Sequence, residues 1–527
     1  MYNFLYMRKK RDTWKSKFGI IMAVAGSAVG LGNFLRFPVQ AAQNGGGAFI
    51  IPYFISLLLL GIPLMWIEWT VGRFGGGFGH GTAPGIFHTM WEKNRFIKYF
   101  GVIGIFGPLV IFIYYNYIAS WTLAYAVFSA VGKYGPTTDQ ESMLSLLRGF
   151  QGIEKNHYFS SLQYAYLFFL ITFAVNIFII YKGISGGIEK LCKIAMPTLF
   201  VFGIIIAVRV LTLGTPDPSK PGWNILNGLG FLWNPDFTAL KDAKVWLAAA
   251  GQIFFTLSVG IGVILTYASY LKKTDDIALS GLTAASTNEF AEIIIGSSIV
   301  IPAAYVFFGP SQIQNIAAGG AFNLGFITMP LIFQKIALSA FFGCLWFSLL
   351  FLAGITSSVS LAQPTIAFLE DEFNISKKKA VLIFGIASFL LCQPAIFFLK
   401  HGVVNELDFW GGTFCLVLFA TVETVLFGWI FGIEKAWEEI HHGADMKIPN
   451  IYKFIIKYIT PLFLFFILTF WFIQQGIPAI LMKGVSESDK PYILGTRLML
   501  LGMFLPLVIL VKVAWQKRKP MRVRKKK

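Results

Sequence analysis

Gly26-Ser27-Ala28-Val29-Gly30-Leu31-Gly32-Asn33 interrupts the first apolar stretch of the chain, and Thr256-Leu257-Ser258-Val259-Gly260-Ile261-Gly262 repeats its valine–glycine–aliphatic–glycine core far downstream. Both lie in the middle of stretches long enough to cross a bilayer. Glycine inside a helix costs roughly 1 kcal/mol against alanine. Backbone groups freed at membrane depth are tolerated only where they line a protein-walled cavity. Two matched interruptions therefore predict a pair of broken helices around a common binding site.

Composition sets the surroundings of those breaks. The 527 residues are 56% hydrophobic and 13% charged, against about 25% charged in a soluble globular protein. Apolar runs of about 20 residues recur along the whole length, each enough to span roughly 30 Å of hydrocarbon. About twelve spans are expected, roughly at 17–42, 47–71, 97–130, 164–182, 191–212, 244–271, 277–307, 336–369, 379–399, 407–432, 454–474 and 492–513. The chain reads as a single all-α membrane domain. The echo of the first break in the sixth span suggests two structural repeats, 17–212 and 244–432, with 454–513 added as helices 11 and 12.

The net charge of +18 follows topology and argues against a nucleic-acid partner. Arg8 to Lys17 precede the first span and Lys517 to Lys527 follow the last. Alternate loops carry Arg73, Lys93, Arg95 and Lys98, then Lys182 and Lys190, then Lys272 and Lys273, then Lys377 and Lys378. Basic residues on alternate loops mark the cytoplasmic side, so both termini are expected inside a cell membrane. Cys192, Cys344, Cys392 and Cys415 show no paired spacing and read as small buried hydrophobes. All six histidines fall between the expected spans, which leaves no intramembrane base for a catalytic nucleophile, so no enzyme is expected.

Several polar residues sit where only function or careful pairing tolerates them. At the first break Ser27, Asn33 and unwound carbonyls supply hard oxygen ligands suited to a small cation, and half-helix ends favour an anionic group such as a carboxylate. Glycines here also suit close helix packing, but a second matched break favours the site. Intramembrane carboxylates are functional hypotheses by default. Glu68 either caps freed amides or meets the ligand. Glu292 lies four residues after Asn288 on one helix face, so Asn288 could hold a cation whose charge Glu292 balances. Glu423 has a packing or proton-related role. Thr356 and Ser357 bond their own helix carbonyls or ligate a cation. Arg36 and Asp408 form an outer ion pair or snorkel separately. Tyr114-Tyr115 is a packing pair or a lid.

These residues give the chain a resemblance to the neurotransmitter:sodium symporter family, most strongly to its bacterial leucine transporters. The blocks that carry it are Ala25 to Pro38, Asn44 to Phe49, Gly61 to Trp69, Gly251 to Thr256 and Gly281 to Ala284. The general scheme of broken helices uses this family's prototype as its example. The resemblance implies a 5+5 inverted repeat with helices 1 and 6 broken, and two sodium sites. One site would use the Ala28 carbonyl, Asn33, Thr256 and Asn288, completed by the substrate carboxylate. The other would use the carbonyls of Gly26, Val29 and Ala353 with Thr356 and Ser357. Substrate would lie among Ser27, Ala28, Gly30, Leu31, Gly32, Ile111, Tyr115, Phe255, Thr256, Ser258, Ile261, Ser357 and Leu361. Arg36 and Asp408 would gate the outside; Arg11 and Asp371, with Tyr270 and Gln363, the inside.

Departures from the family pattern shape the expected substrate. Ser27 replaces an asparagine, Ile111 a valine and Ile261 a phenylalanine, so the pocket stays apolar with a new shape. Gly30 stands where monoamine transporters carry aspartate, which favours amino acids over amines. Glu292 stands where chloride-dependent members are neutral, so chloride is not expected. The implied activity is sodium-coupled import of a small neutral, hydrophobic amino acid by alternating access. Proton-coupled symport and non-transporting amino-acid sensing are the alternatives. A homodimer in the bilayer is compatible with this reading.

Overall fold

The computed structural model describes residues 12–517, and among them the chain is helical with no strands. Among the described residues, nine continuous helical stretches are long and apolar enough to cross a membrane, and a bent pair makes a tenth. In chain order the elements used below are α1 (Lys17–Ala28), α2 (Gly32–Gln43), α3 (Gly47–Gly77), α4 (Ile97–Ala130), α5 (Gln163–Leu211), α6 (Ala243–Leu257), α7 (Val263–Ala268), α8 (Ala278–Phe308), α9 (Ser339–Phe373), α10 (Lys377–Phe397), α11 (Val403–His441), α12 (Ile451–Ile480) and α13 (Lys490–Lys517). α5 has 49 residues, about twice the length that one crossing requires. Gly183 at φ +79° divides it.

The middle of the molecule is built for close approach. α9 runs along α4, and α1 is wrapped by the second half of α5, by α8 and by α9. Gly354 on α9 faces the Ala119 methyl, which a Cβ there would meet at 3.1 Å. Small residues at helix contacts let backbones pack by dispersion where lipid supplies no hydrophobic drive. Lipid-sized side chains instead populate the outer surfaces, as with Leu167, Val175 and Phe178 on α5 and Leu382, Ile386 and Leu390 on α10.

The structure also amends the connections. Three of the segments between the expected spans carry their own helices, Gln140–Phe150, Ile225–Trp233 and Pro310–Ala318. His88 lies in the short helix Ala83–Met90, and His441, expected between spans, instead ends α11. The Asp139 and Asn224 side chains start the first two helices by accepting from Ser142 and Asn227 N–H groups at 2.8 and 2.9 Å.

Candidate functional site

The first break is short and closes on itself. α1 ends at Ala28, Val29 turns extended (ψ 93°), and α2 begins at Gly32 after a bend of 46°. The freed Gly30 N–H donates to Asn33 Oδ1 at 2.8 Å, and Leu31 N–H donates to the Tyr115 hydroxyl at 3.2 Å. α2 opens with a widened turn in which Phe37 N–H reaches back to the Gly32 carbonyl. Such turns often mark functional sites.

The second break is longer and needs help. Between α6 and α7, Ser258, Gly260 and Gly262 all take left-handed φ of 53°, 78° and 79°. At Gly262 a Cβ would stand 2.6 Å from the Gly104 carbonyl, so both conformation and space demand glycine there. The fully buried Glu68 on α3 accepts from the Gly260 N–H and, at 3.4 Å, from Leu265 N–H. Of the two readings of Glu68, the structure shows the cap. Glu423 of α11 is buried beside it.

The two breaks meet. Ser258 Oγ donates to the Ser27 carbonyl at 2.9 Å. Beside this contact, Asn33 Nδ2 lies 3.1 Å from Thr256 Oγ1, 2.8 Å from the Asn288 amide and 2.9 Å from Glu292 Oε2. Asn288 also approaches the Ala28 carbonyl to 3.3 Å. All four side chains are at most 1% exposed. The Asn288 amide oxygen, the Thr256 hydroxyl, the Ala28 carbonyl and the Glu292 carboxylate form a donor set that fits a small hard cation.

A second cluster of oxygens lies where α9 faces α1. Ser357 Oγ has the carbonyls of Ala353, Ser27 and Gly26 at 3.0, 3.1 and 3.3 Å. Such a concentration of hard oxygens suits a small cation. Thr356 Oγ1 donates to the Leu352 and Ala353 carbonyls at 2.9 and 3.1 Å. Gly26 makes the approach possible, because a Cβ there would meet Thr356 Cβ and Cys192 Sγ at 3.3 Å each.

Between the clusters lie the residues expected to line the substrate site. A Cβ on Gly30 would fall 3.0 Å from the Tyr115 hydroxyl and 3.1 Å from Ser357 Oγ, so these polar groups converge on bare backbone. Gly32 lets the Phe255 ring cross the broken helix, since a Cβ would stand 2.5 Å from it. Ile261 and Leu361 are buried, and Ile111 is half-buried against the same core.

The gates are partly rearranged. Asp408 accepts from the Tyr114 hydroxyl at 2.5 Å, and Arg36 places Cζ 4.3 Å from the centroid of the Phe255 ring. No ion pair between Arg36 and Asp408 occurs among the described residues, because the phenol stands at the carboxylate and the aromatic face takes the guanidinium. Tyr114 is thus more than a packing neighbour of Tyr115. At the opposite end Gln363 Nε2 donates to the Tyr270 hydroxyl at 2.9 Å. Asp371 lies near the end of α9, and Arg11 falls outside the described residues.

Three residues of the site escaped the sequence reading. Gln252 Nε2 donates to Glu292 Oε1 at 2.9 Å, and the Tyr53 hydroxyl reaches Glu292 at 3.1 Å and Glu289 at 2.7 Å. For Glu289 the available signal was its spacing, since Glu289 and Glu292 stand three residues apart and share one helix face. Tyr53 and Gln252 carried no signal, being one more tyrosine and one glutamine in apolar helices.

Comparison with known proteins agrees with this geometry. The family model described as the sodium:neurotransmitter symporter family matches residues 11–145 and 146–516. An uncharacterized sodium-dependent transporter of Methanocaldococcus jannaschii is 30% identical over 514 residues, covering 97% of this chain and 98% of that protein. A sodium-dependent dopamine transporter of Caenorhabditis elegans is 25% identical over 553 residues, covering 95% and 87%. Among solved structures, MhsT in complex with L-phenylalanine superposes with a TM-score of 0.73 at 29% identity, covering 87% of this chain and 99% of that one. The chain therefore belongs to the sodium:neurotransmitter symporter family and is a multi-span sodium-dependent transporter, not an enzyme.

Proposed function

We propose that this transporter imports a small neutral, hydrophobic amino acid together with two sodium ions by alternating access. The observation that carries the reading is the meeting of the two breaks, with Asn33, Thr256, Asn288 and Ala28 on one side of bare Gly30 and Ser357, Gly26 and Ala353 on the other. In this reading the amino acid's carboxylate lies beside Tyr115 and Leu31 N–H and completes the first ion site. Substrate and ion then stabilise each other directly. Gly30 leaves no side chain to hold an amine, and the isoleucine and leucine walls favour an apolar substrate. Glu292, fixed or protonatable, stands in for a bound anion beside the first site, so transport proceeds without chloride.

The topology is the inverted one implied by the family, with twelve spans, both termini cytoplasmic and repeats at 17–212 and 244–432. Splitting α5 at Gly183 and counting α6 with α7 as one broken span brings the ten apolar crossings to that number. Each sodium ion gains about 2.3 kcal/mol per 100 mV of membrane potential, and a tenfold gradient adds about 1.4 kcal/mol. Two ions supply roughly 7 kcal/mol, enough for an accumulation near 10⁵-fold.

Uptake of labelled leucine, phenylalanine and other neutral amino acids into proteoliposomes tests the proposal. Uptake should require an inward sodium gradient and persist when chloride is replaced by gluconate. Equal uptake without sodium rejects it. Proton coupling is favoured by one observation, the buried Glu289–Tyr53–Glu292 network; uptake driven by a pH gradient alone would establish that reading instead.

A further inference from the structure

Glu189, in the second half of α5, performs no role in the ion sites or the substrate pocket, yet it is 1% exposed. Its carboxylate accepts from the Lys15 N–H at 2.9 Å and from Ser16 Oγ at 3.3 Å. Lys193, one turn along, donates to it at 2.6 Å. Ser16 is the residue that starts α1, its side chain accepting from Gly19 N–H at 3.0 Å. Gly19 makes the seat, since a Cβ there would lie 2.2 Å from Glu189 Oε1. A negative group at the start of a helix is favoured by the helix dipole and by the free N–H groups there. A missing side chain on α1 and a buried carboxylate on α5 therefore fit one another.

Two neighbouring contacts show what this seat belongs to. Trp14 Nε1 donates to the Tyr267 carbonyl at 3.0 Å, and the two rings meet edge to face at 5.3 Å. Asp12 accepts from Ile184 N–H at 3.3 Å and pairs with Lys377. The start of α1 is thus held to α7, to the turn inside α5 and to Glu189. Among these described residues, Glu189 combines burial with a hydrogen bond to the backbone just ahead of α1.

We propose that Glu189 is a positioning residue that keeps the start of α1 seated on α5, and that its release is required for the end of the molecule bearing both termini to open. The inference rests on alternating access as proposed above and adds a latch to it. Hydrogen bonds to a charged carboxylate are worth more than neutral ones, so losing this set should shift the balance toward the open state about tenfold.

Cys192 is a native reporter. It is fully buried, and its Sγ lies against Gly26 of α1, so it becomes reachable only when α1 leaves α5. Cys392 on α10, equally buried, serves as the control. The full-length transporter, purified in detergent, is treated with a small thiosulfonate reagent, and modification of each cysteine is followed by peptide mass spectrometry. Glu189→Gln keeps the shape and removes the charge; Gly19→Ala leaves the carboxylate and spoils its seat. Both should raise the modification rate of Cys192 about tenfold over the parent and leave Cys392 unchanged. An unchanged Cys192 rate in both variants, or an equal rise at Cys392, overturns the proposal. Labelling needs no flux, so a failure of sodium-driven uptake would be seen separately.

Discussion

The two helix breaks solve the same problem by different means. Between α1 and α2 the chain repairs itself, because Asn33 lies three residues beyond Gly30 and its amide oxygen takes the freed N–H. No residue there needs a left-handed conformation. Between α6 and α7 three residues are left-handed, and the freed amides are met by Glu68 from another helix. A break with its own cap can devote its remaining groups to ligands. A break capped from outside depends on the packing of α3 and α4 around it. The first is therefore expected to be sensitive in binding and the second in stability.

The largest test of this contrast is Asn33→Ala. It removes the cap of the first break and a donor of the first ion cluster together, which should lower sodium affinity about 100-fold, equivalent to about 3 kcal/mol. Sodium titration of substrate binding to the purified protein measures it, and a change below threefold would erase the distinction drawn here. Gly262→Ala should act on stability instead. The left-handed backbone and the Gly104 carbonyl at 2.6 Å together should cost about 2–4 kcal/mol. Gly251→Ala in the neighbouring helix, where a Cβ meets nothing within 4 Å, should stabilise by up to about 1 kcal/mol. Thermal unfolding of the pair in detergent gives both signs.

Glu68→Gln sharpens the comparison further. The amide keeps an acceptor oxygen for Gly260 N–H, so the loss should be about 1–2 kcal/mol of stability, with sodium affinity nearly retained. A fall in affinity matching that of Asn33→Ala would place Glu68 in the binding machinery. The smallest effect is expected from a carboxylate outside the membrane, which sets the scale. Hydrogen bonds from Ser486 and then His401 hold the Asp489 carboxyl below its usual range. Its contribution is present at neutral pH and is lost as pH falls through that lowered value. Because Asp489 is a half-buried surface residue, Asp489→Asn should leave the midpoint of unfolding at pH 7 within a degree or so of the parent and flatten a slight acid dependence.

Much of the site was legible because it is written in local patterns. Gly26, Gly30, Gly32 and Asn33 stand together in one stretch, and Asn288 and Glu292 share a helix face. Thr356 and Ser357 are adjacent hydroxyls in an apolar span. What stayed hidden was pairing at long range. The outer gate is the clearest case: Arg36 and Asp408 both have the chemistry for an ion pair, but packing delivers Tyr114 to the aspartate and Phe255 to the arginine. Tyr53 and Gln252 join Glu292 from helices whose composition does not single them out.

The amino-acid sequence by itself determined the membrane-spanning helices, the positions of both breaks and the oxygen-bearing residues beside them, since hydropathy and glycine act over a few residues of backbone. Tertiary structure alone decided which carboxylate caps the second break, which partners surround Glu292 and what holds the start of α1. Those choices join residues far apart in the chain, and a buried charge takes whatever partner the packing of whole helices brings within hydrogen-bond reach.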